Sequence, residues 1–258
     1  MAKVKVCVLR TAGTNCDGET AFAFEQAGAA TESVHVNQVL RKGAGLDDYQ
    51  ILVIPGGFTY GDDIAAGKIL ANELRYGLGG KLREFIDKGG AILGICNGFQ
   101  VLVKAGLLPG PFSPGAPQEV TLTFNDSAKF EARWIYLKAA PNKSVFTDGI
   151  SSLYLPVAHG EGKFVADQQT LRRIVDSRQM VFQYVDPNGR SAGYPWNPNG
   201  SVESIAGICD DTGRVLGLMP HPERHVLGCQ HPRWTREGLK DEGGGTAVFK
   251  SVVNYFRR

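Results

Sequence analysis

The chain has 258 residues, of which 43% are hydrophobic and 21% charged, an ordinary composition for a globular protein that can bury a substantial core. Its net charge is +2 and its lysines and arginines are scattered, which gives no reason to expect electrostatic binding to nucleic acid or to a membrane surface. No segment approaches the roughly 18 continuous apolar residues that span a bilayer. The apolar N-terminal stretch is broken by Lys5 and Arg10, unlike a secretory signal. We therefore expect a cytoplasmic protein that binds neither nucleic acid nor membranes.

The cysteines fit the same compartment. They are odd in number and widely spaced, which argues against a disulfide framework. A reducing compartment would keep all of them as thiols. The five positions are Cys7, Cys16, Cys96, Cys209 and Cys229.

The first hundred residues alternate strand and helix patterns. Short apolar, β-branched runs predict buried strands, and the segments between them predict helices. Asp17 is expected to cap the first helix and Gly28 to end it. This βαβ rhythm predicts an open, mainly parallel sheet flanked by helices. The predicted strands are 4–9, 31–36, 51–54 and 91–95, and the later helices are 64–88, broken around 77–80, and a helix beginning with 98–104.

After Pro109 the pattern changes to strands without strong helices. The runs 181–185, 205–209 and 215–219 are strand candidates, and the last two flank the hairpin-like turn Asp210–Arg214. The polar, glycine-rich stretch Gly228–Gly245 reads as an exposed excursion, and Thr246–Phe256 as a closing helix. Because no linker or internal repeat is found, we expect one α/β domain over residues 1–258, with antiparallel additions.

The most informative segment is Gly94-Ile-Cys-Asn-Gly98, where a predicted strand ends and a helix begins at once. It is the cysteine version of the Gly-x-Ser-x-Gly elbow, a sharp turn that exposes a nucleophile. Unpaired N–H groups at a helix N-terminus favour a thiolate there. We interpret Cys96 as a nucleophile, in preference to a small buried hydrophobe. The Asn97 N–H then points to where an oxyanion would form.

A cysteine nucleophile needs a base, and His221 directly follows a predicted core strand. Pro222 favours an extended conformation at His221, in which residues 221 and 223 project to the same side. Glu223 can then accept a hydrogen bond from one imidazole nitrogen while the other faces Cys96. The sequence thus predicts a Cys96–His221–Glu223 triad.

The loop Pro55-Gly-Gly-Phe-Thr-Tyr-Gly-Asp62 ends another predicted strand. Ligand sites in open α/β sheets lie beyond the carboxyl ends of the strands, so this loop is expected near Cys96. Its glycines could leave backbone N–H groups free to face a tetrahedral oxyanion. The alternative is an ordinary strand-ending turn.

Other groupings are weaker. A zinc site at the histidines and cysteine after residue 220 lacks a matching Cys-x2-Cys half, so we expect no metal site. Cys16 lies at another strand-to-helix junction and could be a second reactive thiol, but with no histidine nearby we expect a structural role. No Walker sequence is present, so no ATP site is expected in this chain. The zinc candidates are His221, His225, Cys229 and His231.

Together the three segments, in this order, resemble the class I (triad) glutamine amidotransferases. Longer matches, running over nearly the whole chain, narrow the resemblance to the glutaminase subunits of phosphoribosylformylglycinamidine synthases. These matches are Pro55-Gly-Gly-Phe-Thr-Tyr-Gly-Asp62, Gly94-Ile-Cys-Asn-Gly-Phe-Gln-Val-Leu-Val-Lys-Ala-Gly-Leu-Leu-Pro109, Ala158-His-Gly-Glu-Gly162, Asn197-Pro-Asn-Gly-Ser201 and Gly217-Leu-Met-Pro-His-Pro-Glu-Arg224.

The resemblance implies a flavodoxin-like α/β fold and a mechanism. Cys96 would attack the side-chain amide of glutamine, and the N–H groups of Gly57 and Asn97 would hold the oxyanion. His221 would protonate the departing ammonia and then activate water to hydrolyse the thioester. The implied glutamine-pocket residues are Gly56, Gln100, His159, Gly160 and Glu161.

The resemblance also implies a partner. Ammonia would pass to a separate large synthetase subunit, which would convert formylglycinamide ribonucleotide to the amidine in de novo purine synthesis. ATP and Mg would bind that subunit, with no cofactor in this chain. A small accessory subunit is left open.

Three alternatives follow from the same residues. A class I amidotransferase for a different synthetase would keep the chemistry and change the acceptor. A stand-alone cysteine hydrolase or peptidase would act without a partner. A regulatory binding domain on the same fold would leave Cys96 unreactive, and it is disfavoured because all three triad positions are filled.

Overall fold

The computed structural model describes residues 3–42, 45–113 and 117–258. The predicted strands of the first hundred residues are all found, each within one residue of the predicted bounds. The strands of the described part are β1 Lys5–Arg10, β2 Ala30–His35, β3 Ile51–Ile54, β4 Ala91–Ile95, β5 Val120–Thr123, β6 Glu131–Ala139, β7 Ser152–His159, β8 Lys163–Ala166, β9 Met180–Val185, β10 Ile205–Cys209 and β11 Val215–Leu218.

The helices lie mostly between the strands of the first half. Those of the described part are α1 Asp17–Gln26, α2 Val36–Lys42, α3 Lys68–Asn72, α4 Leu78–Asp87, α5 Asn97–Ala105, α6 Gln168–Asp176, α7 Trp234–Glu237 and α8 Thr246–Tyr255.

One large sheet runs through the protein in the order β2-β1-β3-β4-β11-β10-β9-β6-β7. Its first five strands are parallel, and the remaining four continue it with antiparallel pairing. Strands β3, β4 and β11 are buried along their whole length, as expected for a parallel sheet covered on both faces. The fold prediction is confirmed, and the order β2-β1-β3-β4 is that of flavodoxin-like proteins.

The antiparallel part was only partly predicted. Strands β9, β10 and β11 were expected, whereas β6 and β7 were not, and β5 and β8 form a separate two-stranded sheet. The β10–β11 hairpin closes as expected, because Asp210 accepts a hydrogen bond from the Val215 backbone N–H at 3.0 Å.

Two expectations about helix starts were wrong. The N-cap of α1 is Cys16, and Asp17 is the first helical residue without a side-chain cap bond. The helix expected from residue 64 begins at Lys68, after Gly67 adopts a left-handed conformation with φ 70°. The expected break at Gly77–Gly80 is instead a π-helical turn at Glu73–Gly77, from which α4 continues directly.

Helix α6 was missed in the region expected to lack helices. Asp167 caps it by accepting a hydrogen bond from the Thr170 N–H at 2.8 Å. Its sequence is dominated by polar residues and only Thr170 and Ile174 are buried, so its apolar stripe is short. The stretch after residue 228 forms a short turn and α7 with mostly exposed side chains, as expected.

The described helices include none that is long and apolar enough to cross a membrane.

Candidate active site

Cys96 lies at the junction between β4 and α5 in a strained backbone conformation, with φ 52° and ψ −106°. Such strain persists only where the surroundings fix it. Here the Cys96 N–H donates to the Leu218 carbonyl of β11 at 2.8 Å, and the Cys96 carbonyl accepts from the Phe99 N–H at 3.0 Å. The side chain is thereby presented at the carboxyl edge of the sheet, as in a nucleophile elbow.

The flanking glycines are required by close backbone approach. A Cβ atom at Gly98 would lie 1.8 Å from the Ile54 carbonyl oxygen of β3. A Cβ at Gly94 would lie 2.7 Å from the Gly98 backbone and 2.5 Å from Leu102. Any side chain at either position would push the elbow away from the sheet.

His221 and Glu223 are paired as predicted, but not through extended backbone. Pro222–Arg224 forms a 3-10 turn, and His221 precedes it as the N-cap. The His221 N–H donates to the Pro156 carbonyl of β7 at 2.9 Å, which fixes the start of the turn. His221 Nδ1 lies 2.5 Å from Glu223 Oε1, and both residues are 1% exposed. Nδ1 is therefore occupied, leaving Nε2 for Cys96.

The charges of this site favour a protonated His221. Burial alone lowers its pKa, but the Glu223 carboxylate and the Cys96 thiolate outweigh burial and raise the pKa well above its usual value. A cationic imidazole beside Cys96 stabilises the thiolate, which is the nucleophilic form of cysteine. The arrangement can hold a thiolate–imidazolium pair.

The 55–62 loop, predicted to face an oxyanion and called the oxyanion loop below, is held against the loop between β1 and α1. The Phe58 N–H donates to the Gly13 carbonyl at 2.9 Å, and the Asn15 N–H donates to the Gly56 carbonyl at 3.4 Å. These bonds flank the Thr14–Gly57 bridge, which is therefore a non-hydrogen-bonded pair. In such a pair the N–H groups point away from the partner strand, so the Gly57 N–H points away from Thr14.

Only glycine suits position 57. Its φ is +146°, and a Cβ there would lie 2.6 Å from the Gly13 carbonyl oxygen. The second predicted donor, the Asn97 N–H, is in the first turn of α5, where no intrahelical acceptor exists. Both groups have the backbone setting that an oxyanion donor requires, and their role stays a prediction.

The Asn97 side chain joins the elbow to the oxyanion loop. Its Oδ1 accepts from the Thr59 hydroxyl at 2.7 Å, and its Nδ2 donates to Asp62 Oδ1 at 3.0 Å. Nδ2 also donates to Gln100 Oε1 at 3.0 Å. Sequence reasoning assigned no role to the side chains of Asn97, Thr59 or Asp62, because their convergence depends on the adjacency of β3 and β4.

The predicted glutamine-pocket segment lies beside the nucleophile. Cys96 Sγ is 3.7 Å from the Ala158 carbonyl oxygen, and Gln100 Nε2 donates to the Glu161 carbonyl at 2.5 Å. Lys104, which is buried, places its Nζ 3.9 Å from Glu161 Oε2. The structure thus brings Gln100 and Glu161 together near Cys96, and their binding of glutamine stays a prediction.

His159 belongs to this pocket segment and has a neutral ring. Its Nδ1 lies 3.0 Å from Asn125 Oδ1, while the Gly160 carbonyl accepts from the Asn125 N–H at 2.9 Å. Burial, assisted by the charge of His221, lowers the pKa of His159 to about 3. Asn125 was missed, because it lies outside every motif.

Cys16 is the main surprise of the site. The expectation that it has no histidine nearby was wrong, because one donor atom from each of Cys16, His221 and Glu223 lies within 4.8 Å of the others. The β1–α1 loop reaches the same carboxyl edge of the sheet as the elbow. Arg224 Nη2 donates to Cys16 Sγ at 3.1 Å.

This trio does not resemble a metal site. The 2.5 Å bond between His221 and Glu223 leaves no room for an ion between them. The Arg224 guanidinium already donates a hydrogen bond to the Cys16 sulfur. Of the predicted zinc candidates, His225 instead places Nδ1 2.9 Å from the Tyr154 carbonyl. Its ring and that of His231 pack against Trp134.

Comparison with known proteins agrees with this geometry. Residues 3–256 match the CobB/CobQ-like glutamine amidotransferase domain. The chain is 53% identical over 260 residues to "Phosphoribosylformylglycinamidine synthase subunit PurQ" of Dehalococcoides mccartyi, with 100% of each chain covered. This chain belongs to the PurQ family of glutamine amidotransferases. The Archaeoglobus fulgidus member of the PurQ family is 45% identical over 272 residues, covering 99% of this chain and 98% of its own.

A solved structure supports the same PurQ assignment. A chain from the "Structure of PurLQS from Thermotoga maritima" is 32% identical, with a TM-score of 0.75, covering 99% of this chain and 100% of its own. The predicted fold, family and enzyme class are confirmed.

Proposed function

We propose that this chain hydrolyses L-glutamine and supplies the ammonia to an ATP-dependent synthetase that converts formylglycinamide ribonucleotide to formylglycinamidine ribonucleotide. The observation that carries the proposal is the buried Cys96 elbow beside the His221–Glu223 pair, in a chain of the PurQ family. Because a fold alone does not define a function, the proposal depends on these side chains.

The first step forms the tetrahedral intermediate that precedes the thioester. The Cys96 thiolate attacks the carbon of the glutamine side-chain amide and forms a tetrahedral intermediate. The Gly57 and Asn97 N–H groups stabilise its oxyanion, and each such donor contributes about 3 kcal/mol to transition-state stabilisation. Glu223 raises the pKa of His221, so a protonated imidazole lies beside the attacking sulfur.

The second step releases ammonia and restores the enzyme. Protonated His221 donates its proton to the departing nitrogen, the C–N bond breaks, and a γ-glutamyl thioester remains on Cys96. Neutral His221 then takes a proton from water, which attacks the thioester and releases glutamate. Glu223 holds the imidazole in one tautomer through both half-reactions.

Burial of the site supports delivery of ammonia to a partner. Cys96 is 5% exposed and His221 and Glu223 are each 1% exposed, so ammonia forms away from bulk solvent. The matching Thermotoga maritima chain comes from a structure of PurLQS. We propose a large synthetase subunit and a small accessory subunit as partners, with ATP and Mg on the synthetase and no cofactor in this chain. The five free thiols suit the cytoplasm.

An isotope-transfer assay tests this proposal. The chain is combined with the synthetase, formylglycinamide ribonucleotide, Mg-ATP and glutamine labelled with 15N in the side-chain amide. We expect the 15N to appear in formylglycinamidine ribonucleotide even when unlabelled ammonia is added. Glutamate formation without 15N transfer would reassign the chain to another synthetase or to a stand-alone hydrolase.

A further inference from the structure

Cys16 is held in place by more bonds than a buried thiol needs. It is 1% exposed, and its thiol donates to Asn15 Oδ1 at 3.1 Å. Its carbonyl accepts from the Thr20 hydroxyl at 2.5 Å, and its N–H donates to the Gly56 carbonyl at 3.2 Å. The sulfur therefore has a fixed position relative to both α1 and the oxyanion loop.

The same sulfur lies within 4.8 Å of a ring nitrogen of His221, the catalytic base. A Cβ built on Gly56 would lie 3.0 Å from His221 Cε1 and 3.1 Å from Cys16 Sγ, so ring and sulfur adjoin the same face of Gly56. Arg224 Nη2 also donates to this sulfur, and Arg224 Nε lies 3.5 Å from Glu19 Oε1 of α1. The sulfur thus has two neighbours, the imidazole and a guanidinium paired with Glu19 of α1.

Cys16 lacks the features of a second nucleophile. Its thiol is engaged as a donor to Asn15, and burial raises its pKa, with the Glu223 carboxylate acting in the same direction. It lies before α1 without the left-handed elbow of Cys96, since its φ is −106°. Its contact with His221 must serve another purpose.

We propose that Cys16 is a positioning residue that, clamped by Arg224, holds the His221 imidazole against Cys96. The Nδ1–Glu223 bond fixes one edge of the ring, and Cys16 lies beside the same ring. Cys16 adds a second support to the ring and keeps Nε2 directed at the nucleophile. A misplacement of about 1 Å can cost about 100-fold in rate. This inference rests on the proposed glutaminase function.

The contact also bears on the pH range of activity. Cys16, which lies within 4.8 Å of His221, also contributes to raising the pKa of His221, after the larger effects of Glu223 and Cys96. Activity requires the imidazolium and is lost as pH rises through the pKa of His221. Removing Cys16 lowers that pKa, so the alkaline limb moves to lower pH. The groups that face His221 are Glu223, Cys96, Cys16, the neutral His159 and, through Cys16, Arg224.

The test measures glutamine hydrolysis by Cys16→Ala and Cys16→Ser in the complex with the synthetase. For Cys16→Ala we expect kcat to fall by about 10- to 100-fold, with the KM for glutamine changed less than about 2-fold. The alkaline limb of kcat should move to lower pH. Cys16→Ser, which keeps a polar group able to contact the ring, should recover most of the lost rate and return the limb toward its original position.

Cys7→Ala is the matched control, because Cys7 is a fully buried thiol on β1 whose charged neighbour is Glu32 rather than a triad residue. It should keep the wild-type kcat and pH profile. Thermal unfolding of each variant separates misfolding from mispositioning. If the alanine variant does not fold, the serine variant is measured in its place. Wild-type kcat and pH profile in both Cys16 variants, or a loss confined to KM, would overturn the proposal. An inactive wild-type complex would instead refute the proposed function.

Discussion

Replacing Cys96 with alanine will lower glutamine hydrolysis by at least about 10,000-fold, because removal of a triad nucleophile leaves only binding and oxyanion stabilisation. Alanine removes the sulfur but keeps the Cβ, so the backbone at φ 52° is not changed. The complex should still convert its ribonucleotide substrate when free ammonia replaces glutamine, since the synthetase does not use Cys96. The measurement compares glutamine-supported and ammonia-supported synthesis for the same preparation.

The matched control is Cys209→Ala. Cys209 is fully buried in β10, and its thiol contacts only the Arg178 carbonyl, at 3.9 Å, among the hydrogen bonds of the described residues. We expect near-wild-type rates with both nitrogen sources. Persistent glutamine hydrolysis by Cys96→Ala would show that another group is the nucleophile.

Replacing His221 with alanine will reduce glutamine hydrolysis by about 1,000-fold or more, because this residue is both the general acid that protonates ammonia and the general base that activates water. The ring is 1% exposed, so the change also leaves a cavity, and folding must be checked by thermal unfolding. Glu223→Gln keeps the volume and removes the charge. It should lower the pKa of His221, since Glu223 is the largest of the groups that raise it. The alkaline limb of kcat should then move to lower pH.

His225→Gln provides the comparison, because His225 is buried four residues further along and its ring packs against Trp134. We expect its kcat and pH profile to match the wild type. Comparable activity in His221→Ala and the wild type would remove His221 from the mechanism.

The parallel half of the fold was predictable because its signals are local. Strand β3 is a continuous apolar run followed by Pro55, and β4 is an apolar run that leads into Cys96; such runs have few alternatives to a buried strand. Strands β6 and β7 were missed because β6 carries the charged residues Glu131, Arg133 and Lys138 and β7 contains Pro156, so neither is a continuous apolar run. The π-helical turn at Glu73–Gly77 has no sequence pattern by which it could be recognised.

The candidate site was likewise predictable where its signals are local and unpredictable where they depend on the fold. Cys96 was found from its flanking glycines, which are needed for close approach to β3. The pairing of His221 with Glu223 was predicted from extended backbone, whereas a 3-10 turn brings the two together. Cys16 could not be placed, because its contact with His221 joins segments that only the sheet order brings to one edge.

One thiol of this chain, that of Cys96, is expected to be activated to attack glutamine. The most direct test is to treat the chain, in complex with the synthetase, with an electrophilic glutamine analogue and to map the label by peptide mass spectrometry. We predict label on Cys96 alone, because Cys16, although beside the same His221, has a pKa raised by burial and lies outside the elbow. Label on Cys16, or an unlabelled Cys96, would contradict the account.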